Sequence, residues 1–163
     1  MAEADWYEAV EAELAKQLSN VVTNFYLDRG ATKSFSEDVK AAIPDGREIV
    51  FPFLRRKPDV IGYVKRDYSK DLIVVEVKEK SLTIENIYQA KMYKEVFAAR
   101  YGFLITASPI PEVLKRLCKQ TYSILHSIHE GTHSFLRIAR FHRAGGFIEW
   151  FEENPFSQEC YWK

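Results

Sequence analysis

Two acidic residues and one lysine near the middle of the chain are the strongest candidates for chemistry. Asp59 begins the apolar run "DVIGYV" at 59–64, and Glu76 and Lys78 interrupt the aliphatic run "LIVVEVK" at 72–78. Charged side chains are rarely fully buried unless they are paired or bound to a metal. These three residues therefore need an explanation that folding alone does not supply.

The two runs predict a β-hairpin that brings the acidic residues together. Side chains alternate across a strand, so Glu76 and Lys78 share one face while Val75 and Val77 share the other. If the polar turn "KRDYSKD" centres between Asp67 and Tyr68, Asp59 faces Glu76 and apolar residues face one another along the rest of the hairpin. The Cβ atoms of Asp59 and Glu76 would then lie about 5 Å apart.

Two carboxylates this close repel each other unless a positive charge lies between them. A hard divalent cation with oxygen ligands is the natural candidate, and the carbonyl of Val77 could provide a further oxygen. A metal that polarises a phosphate and lowers the pKa of bound water, next to the Lys78 ammonium, suits phosphodiester hydrolysis. The sequence thus indicates a metal-dependent hydrolytic site.

The elements that must position these residues follow from hydrophobic periodicity and turn signals. The pattern predicts helices at 5–26, 37–42, 83–101 and 111–128, and strands at 47–54, 59–64, 72–77, 102–107, 134–141 and 146–151. This order predicts an α/β fold. We expect one domain over residues 1–163, with a core at about 5–107 and a C-terminal extension at 108–163 made of a helix and a β-hairpin.

"PD" at 58–59 followed by "EVK" at 76–78 resembles the PD-(D/E)xK nuclease superfamily, which has the restriction-endonuclease-like fold. The core of that fold is a helix, three antiparallel strands, a helix and a strand, so the resemblance covers about residues 5–107. It implies that Asp59 and Glu76 bind Mg²⁺, with Mn²⁺ as a substitute, and that Lys78 orients or activates the attacking water. It also implies DNA as the partner and substrate.

A second motif, "QAKMY", follows on the helix after Lys78. Its spacing of four places Gln89 and Tyr93 on one helix face. The pair resembles the accessory motif of RecB-type nucleases, which implies that both side chains touch the active site or the nucleic acid. The related branch with an iron–sulfur cluster needs four cysteines, and this chain has 2.

The resemblance also implies a further glutamate from the first helix. Glu8, Glu11 and Glu13 are available. Helical periodicity places Glu11 closest to the apolar face, so Glu11 is the expected contributor and Glu8 the alternative.

The charge balance makes no case for nucleic acid by itself, because 23 basic residues match 23 acidic ones. Only local clusters could meet a phosphate backbone, and we expect Arg55, Arg56, Lys57 and Lys80 to do so. The alternative is an ordinary solvated charge run.

An intracellular, cytoplasmic protein is expected. Cys118 and Cys160 lie too far apart in sequence to suggest a disulfide framework, the first residues lack the pattern of a signal peptide, and no apolar run approaches the length of a membrane span.

Two other groups of residues leave alternatives open. His126, His129 and His133 have spacings that could gather imidazoles around zinc if they lay on one helix, although surface or nucleic-acid-facing histidines fit the sequence better. The aromatic tail at 147–163 fits either a lid packed over the sheet or the interface of a homodimer.

Two functions remain open on the sequence. The first is a magnesium-dependent deoxyribonuclease, with an endonuclease favoured over an exonuclease. The second is a non-catalytic nucleic-acid-binding or assembly module that retains the nuclease fold.

Overall fold

The computed structural model describes residues 3–29, 35–44, 54, 56–129 and 131–163, and these form an α/β fold. The elements are, in chain order, α1 (Glu3–Ser19), β1 (Phe25–Asp28), α2 (Glu37–Ala42), β2 (Val60–Lys65), β3 (Lys70–Lys78), α3 (Ile84–Val96), β4 (Tyr101–Thr106), α4 (Glu112–Gln120), α5 (Tyr122–Leu125), β5 (His126–His129), β6 (Thr132–His142) and β7 (Phe147–Trp150). Two short 3₁₀ turns, Pro155–Ser157 and Glu159–Tyr161, follow.

One mixed sheet organises the described chain. Its strand order is β1-β2-β3-β4-β6-β5, and β7 pairs with β6. The pairs β1–β2 and β2–β3 are antiparallel, whereas β3–β4 and β4–β6 are parallel. The carboxyl ends of β3, β4 and β6 therefore lie at the same end of the sheet.

The sheet buries a different apolar layer on each face. Val60, Val75 and Val77 pack with the apolar stripe of α1, which includes Trp6 and Val10, in what we call the α1 layer. The α3 layer on the opposite face contains Ile61, Leu72, Val74, Tyr93 and Phe97. Neighbouring residues of β2 and β3 thus enter opposite layers, as strand geometry requires.

The prediction of a helix at 5–26 is wrong beyond Ser19, because Phe25–Asp28 form β1 instead. β1 pairs with β2 so closely that a Cβ on Gly62 would lie 2.0 Å from the Tyr26 carbonyl oxygen. The β-branched Val21, Val22 and Thr23 lose side-chain freedom in a helix. A strand partner in β2 therefore overrides the apolar periodicity that favours a longer helix.

The strand expected at 47–54 lies outside the described residues except for Leu54. The third strand of the antiparallel set in the described chain is β1, on the far side of β2 from β3.

Two further helices are shorter than the sequence predicts. The helix expected at 83–101 ends at Val96, since Ala98 adopts a φ of 51° and β4 begins at Tyr101. The helix expected at 111–128 breaks at Thr121, and residues 126–129 become β5 by pairing with the edge of β6. The helical spacing assumed for the three histidines is consequently wrong. The C-terminal hairpin is confirmed as β6 and β7.

Candidate active site

The β2–β3 hairpin has the register that the apolar pattern predicts. Val60 pairs with Val75, and Ile61 pairs with Val74. Asp59 immediately precedes β2, and its Oδ2 accepts a hydrogen bond from the main-chain N–H of Val77 at 2.7 Å. The Asp59 carboxylate therefore reaches the stretch of β3 that contains Glu76.

Asp59, Glu76 and Lys78 belong to the same face of the sheet. Val75 and Val77 enter the α1 layer, so Glu76 and Lys78 lie on the face of the α3 layer. Ile61 is in the α3 layer too, and Asp59 shares its direction by strand alternation. The negative charge of Asp59 is close enough to Glu76 to raise the pKa of Glu76.

Glu76 is a buried carboxyl group with incomplete compensation. It is 4% exposed, and its Oε1 accepts a hydrogen bond from Lys78 Nζ at 2.5 Å. Burial and then repulsion by Asp59 raise the pKa of Glu76 to about 7, although the hydrogen bond from Lys78 lowers it. Oε2 is buried and has no hydrogen-bond partner among the described residues. The Lys78 ammonium therefore leaves one oxygen of the Glu76 carboxyl group without a hydrogen bond among the described residues.

A hard divalent cation fits this donor set. It would neutralise two neighbouring carboxylates and give the orphaned Oε2 of Glu76 a partner. Within the described ranges no three His, Cys, Asp or Glu side chains come together as a metal-binding group. A cation at Asp59 and Glu76 would thus draw its other ligands from main-chain oxygen, water and phosphate, as Mg²⁺ commonly does.

The three residues open into a cavity of about 800 Å³. Arg56, Lys57 and Lys80 line it together with Asp59, Glu76 and Lys78, so three of the four basic residues expected near a phosphate backbone lie beside the carboxylates. Arg55 is outside the described residues. Lys57 Nζ lies over the ring of Phe35, 5.2 Å from the ring centroid.

Gln89 and Tyr93 lie on α3, which packs on the same face of the sheet. The Gln89 amide donates a hydrogen bond to the Tyr93 hydroxyl at 3.3 Å. Tyr93 is 2% exposed, and burial raises its pKa. The charges of Glu76 and Asp59 raise that pKa further, which places the hydroxyl within their electrostatic reach. The ring is a core residue, and neither Gln89 nor Tyr93 is among the residues that line the cavity.

The glutamates of α1 make different contacts. Glu11 Oε2 lies 3.2 Å from Arg29 Nε, and Glu8 reaches the same guanidinium at 3.7 Å. Burial raises the pKa of Glu11, and Arg29 opposes that rise. The prediction that Glu11 is the contributing glutamate stays a prediction: its side chain is 24% exposed, and that of Glu13, which accepts a 2.8 Å hydrogen bond from Gln17, is 11% exposed.

Several residues that line the cavity belong to neither of the two sequence motifs. Tyr7 reaches the cavity from α1, and Thr83 and Asn86 reach it from the start of α3. Thr83 and Asn86 form a capping box in which each side chain binds the other's main-chain N–H. The T-x-x-N spacing before an apolar helix was therefore the signal that could have found them.

His126 and His133 pair with each other across β5 and β6. Their Nδ1 and Nε2 atoms are 3.2 Å apart, and both rings are half-buried. Burial, followed by the positive charge of Arg137, lowers the pKa of His126 to about 4. The same positive charge opposes the binding of a cation such as zinc.

The aromatic tail packs against its own sheet. Trp162 is 3% exposed and stacks on Tyr101 with 4.4 Å between ring centroids, while Phe156 stacks on Phe103 and Trp162. Arg66 ties the tail to the β2–β3 turn by donating a hydrogen bond to the Trp162 carbonyl. These rings therefore form the lid that was one of the two interpretations of the sequence.

None of the helices within the described ranges is long and apolar enough to cross a membrane.

The strongest feature of the described chain is the convergence of Asp59, Glu76 and Lys78 in a cavity with basic residues at its rim. Comparison of the chain with protein-family models, with curated proteins and with solved structures found no match.

Proposed function

We propose that this protein is a metal-dependent nuclease that hydrolyses phosphodiester bonds in DNA, with Mg²⁺ as its cofactor and Mn²⁺ as a substitute. The observation that carries the proposal is the cross-strand meeting of Asp59 with Glu76, where the buried Oε2 of Glu76 lacks a partner among the described residues. Lys78 supplies a fixed cation at the same place. Few arrangements other than a cation site explain two adjacent carboxylates on an apolar hairpin.

The element order supports a restriction-endonuclease-like core. Helix α1 precedes the antiparallel set β1–β2–β3, and α3 then leads to β4, which is parallel to β3. The short helix α2 is inserted between β1 and β2. Asp59 lies immediately before β2 and Glu76 lies near the end of β3, and these two residues are the acidic positions of the PD-(D/E)xK motif.

The chain's own groups have distinct roles in this proposal. Asp59 and Glu76 would hold the cation, and the Val77 carbonyl is a main-chain candidate for a further ligand. A bound Mg²⁺ would polarise the scissile phosphate and lower the pKa of a bound water. Lys78 Nζ, which donates a hydrogen bond to Glu76, would orient that water or bind a phosphate oxygen.

The basic rim supports an anionic polymer as the substrate. Arg56 and Lys57, which precede Asp59, and Lys80, which follows Lys78, line the cavity together with the carboxylates. All three are exposed and can follow a phosphate backbone. We assign Arg55 to the same contact as a sequence-based expectation.

Gln89 and Tyr93 complete the proposed site as positioning residues. The Gln89–Tyr93 hydrogen bond orients the hydroxyl, and the charges of Glu76 and Asp59 contribute to its raised pKa. Glu11 stays a candidate for an outer role through Arg29, with Glu8 as the alternative.

Endonucleolytic cutting of both strands of a duplex is easiest with two such sites, which a twofold dimer supplies. We therefore propose a homodimer on DNA. Sedimentation analysis with and without a duplex would measure this, and a monomer in both conditions would contradict it.

The test is a cleavage assay on plasmid and single-stranded DNA with Mg²⁺, with Mn²⁺ and with a chelator. We expect cleavage in both metals and none in the chelator. The control is Lys16→Met, which removes an exposed lysine of α1 that binds Glu13. Specific DNA binding without cleavage in either metal would reject the enzyme and favour a non-catalytic nucleic-acid-binding module.

A further inference from the structure

A second cavity adjoins the candidate active site on the side of the β6–β7 hairpin. It has a volume of about 400 Å³ and is lined by Arg140, His142 and Arg143, and Glu79 forms part of the wall of both cavities. Between them, the Ala107 N–H donates a hydrogen bond to the Lys78 carbonyl at 3.0 Å. The two cavities therefore lie side by side along the carboxyl ends of β3, β4 and β6.

The strand register aligns Arg140 with Lys78. Lys78 is opposite Thr106 on β4, and Thr106 is opposite Arg140 on β6. Registered residues on neighbouring strands point to the same face, so Arg140 shares the face of Glu76 and Lys78. Two strand spacings separate Arg140 from Lys78, which is about 10 Å.

Arg140 has an unmet hydrogen-bonding capacity. The residue is half-buried, and its Nε is buried with no hydrogen-bond partner among the described residues. Its charge is one influence that lowers the pKa of Glu149 on β7, but the Glu149 carboxylate is held by His142 at 2.6 Å. A guanidinium cannot lose its charge, and the part of this half-buried side chain that lines the cavity can bind an acceptor-rich anion.

Arg143 already holds an anionic group. Its guanidinium lies 2.9 Å from Glu79 Oε1 and stands over the Trp6 ring, 4.9 Å from the ring centre. Both members of the ion pair are partly exposed, and such pairs are weak. A phosphate, which an arginine binds in the same forked manner as a carboxylate, can therefore replace Glu79.

We propose that Arg140 and Arg143 form a second phosphate-binding subsite for the DNA strand, and that Glu79 occupies Arg143 in the free protein. This inference rests on the proposed function, because it extends the path of a strand whose scissile phosphate lies at Asp59 and Glu76. Phosphates recur about every 3.4 Å of rise in each strand of a duplex, so the subsite contacts a phosphate within about three nucleotides of the cut.

The test measures the binding of fluorescein-labelled single-stranded and duplex DNA at several salt concentrations. A chelator is present throughout, so that no strand is cut. Arg140→Gln and Arg143→Gln are compared with Arg116→Gln, a 74% exposed arginine of α4. Glu79→Gln is compared with Glu112→Gln, a 69% exposed carboxylate of the same helix. A gain in affinity that Glu79→Gln shows and Glu112→Gln does not depends on the position of Glu79 and not on the loss of one negative charge alone.

We expect each of the two arginine variants to weaken binding roughly 3- to 10-fold and to reduce the slope of log affinity against log salt by about 0.9 on duplex. Glu79→Gln should tighten binding, whereas Arg116→Gln and Glu112→Gln should resemble the parent. If the parent binds DNA but Arg140→Gln and Arg143→Gln behave like Arg116→Gln, the subsite is rejected and the proposed function stands. If the parent binds no DNA, both the subsite and the proposed function are rejected.

Discussion

The Asp59 carboxylate accepts a hydrogen bond from the main-chain N–H of Val77, 2.7 Å away on the neighbouring strand. This contact sets the direction of the carboxylate and joins the start of β2 to the end of β3. It also means that Asp59 has a structural contact as well as a proposed metal-binding role. A test of the metal role must therefore keep a hydrogen-bond acceptor at position 59.

Asp59→Asn satisfies that requirement, because the amide oxygen can still accept from Val77. We expect DNA cleavage to fall by orders of magnitude, since a metal ligand is lost. In chelator the variant should be as stable as the parent or more so, because the repulsion of Glu76 is removed. It should also lose the increase in melting temperature that Mg²⁺ gives the parent. Thermal melts with and without Mg²⁺, next to a cleavage assay, measure this. Normal cleavage, or unfolding in chelator, would show that the carboxylate is structural.

Lys78→Met removes the ammonium that binds Glu76 while retaining the length of the side chain. We expect cleavage to fall about 10²- to 10⁴-fold, the usual effect of losing a group that assists proton transfer. DNA binding in chelator should weaken only modestly, because Arg56, Lys57 and Lys80 remain at the rim. A variant that binds and cuts at the parent's rate would reduce Lys78 to a structural partner of Glu76.

Tyr93→Phe separates the core role of the ring from the role of its hydroxyl. The ring should keep its packing with Val74 and Phe97, so chemical denaturation should show a change of about 1 kcal/mol or less. Cleavage should fall by up to about 10-fold, which corresponds to one hydrogen bond. Gln89→Ala should have a similar effect, since it removes the partner that orients the hydroxyl. Full activity in both variants would reject the RecB-type assignment and leave the metal site intact.

Lys94 predicts a distinct pH dependence of stability. This lysine is 4% exposed, binds Ser127 and Ser134, and burial lowers its pKa to about 8. The unfolded chain therefore binds more protons between about pH 8 and 10.5, so this group makes the free energy of unfolding rise with pH over that range.

Lys94→Met should flatten that rise and stabilise the protein at pH 7 by roughly 1–3 kcal/mol. Urea denaturation from pH 7 to 10 measures both effects. The control is Lys91→Met, which removes a partly exposed lysine paired with Glu95 at 3.2 Å. An equal pH dependence in the parent and in Lys94→Met would contradict the burial of a charged amine.

Gly62→Ala tests the position of β1. The added Cβ would lie 2.0 Å from the Tyr26 carbonyl oxygen, which belongs to the main chain and cannot move alone. We expect a loss of roughly 2–4 kcal/mol in the free energy of unfolding. Gly102→Ala is the matched control, because its Cβ would meet only flexible side-chain atoms of Lys94 and Leu136 at 3.0 and 3.2 Å. Equal losses in the two variants would indicate that β1 does not pair with β2 at Tyr26.

The central hairpin could be predicted from the sequence because its determinants are local. The aliphatic residues of the two strands pair with one another in only one register around a short turn. A shift of that register by one residue would move the aliphatic side chains to the opposite face of the sheet. That register alone brings Asp59 opposite Glu76 and separates Glu76 and Lys78 from Val75 and Val77. The pairing of the two carboxylates, on which the proposed chemistry depends, therefore follows from the sequence of the hairpin.

Features that depend on distant partners were decided by the tertiary structure. Residues 25–28 and 126–129 have apolar spacings compatible with helices, yet each becomes a strand because an unpaired sheet edge offers main-chain hydrogen bonds. Arg140 is aligned with Lys78 only through β4, which lies between them in the sheet but far from both in sequence. Parallel pairing across long connections leaves no local pattern, so the second cavity and its arginines could be found only in the folded chain.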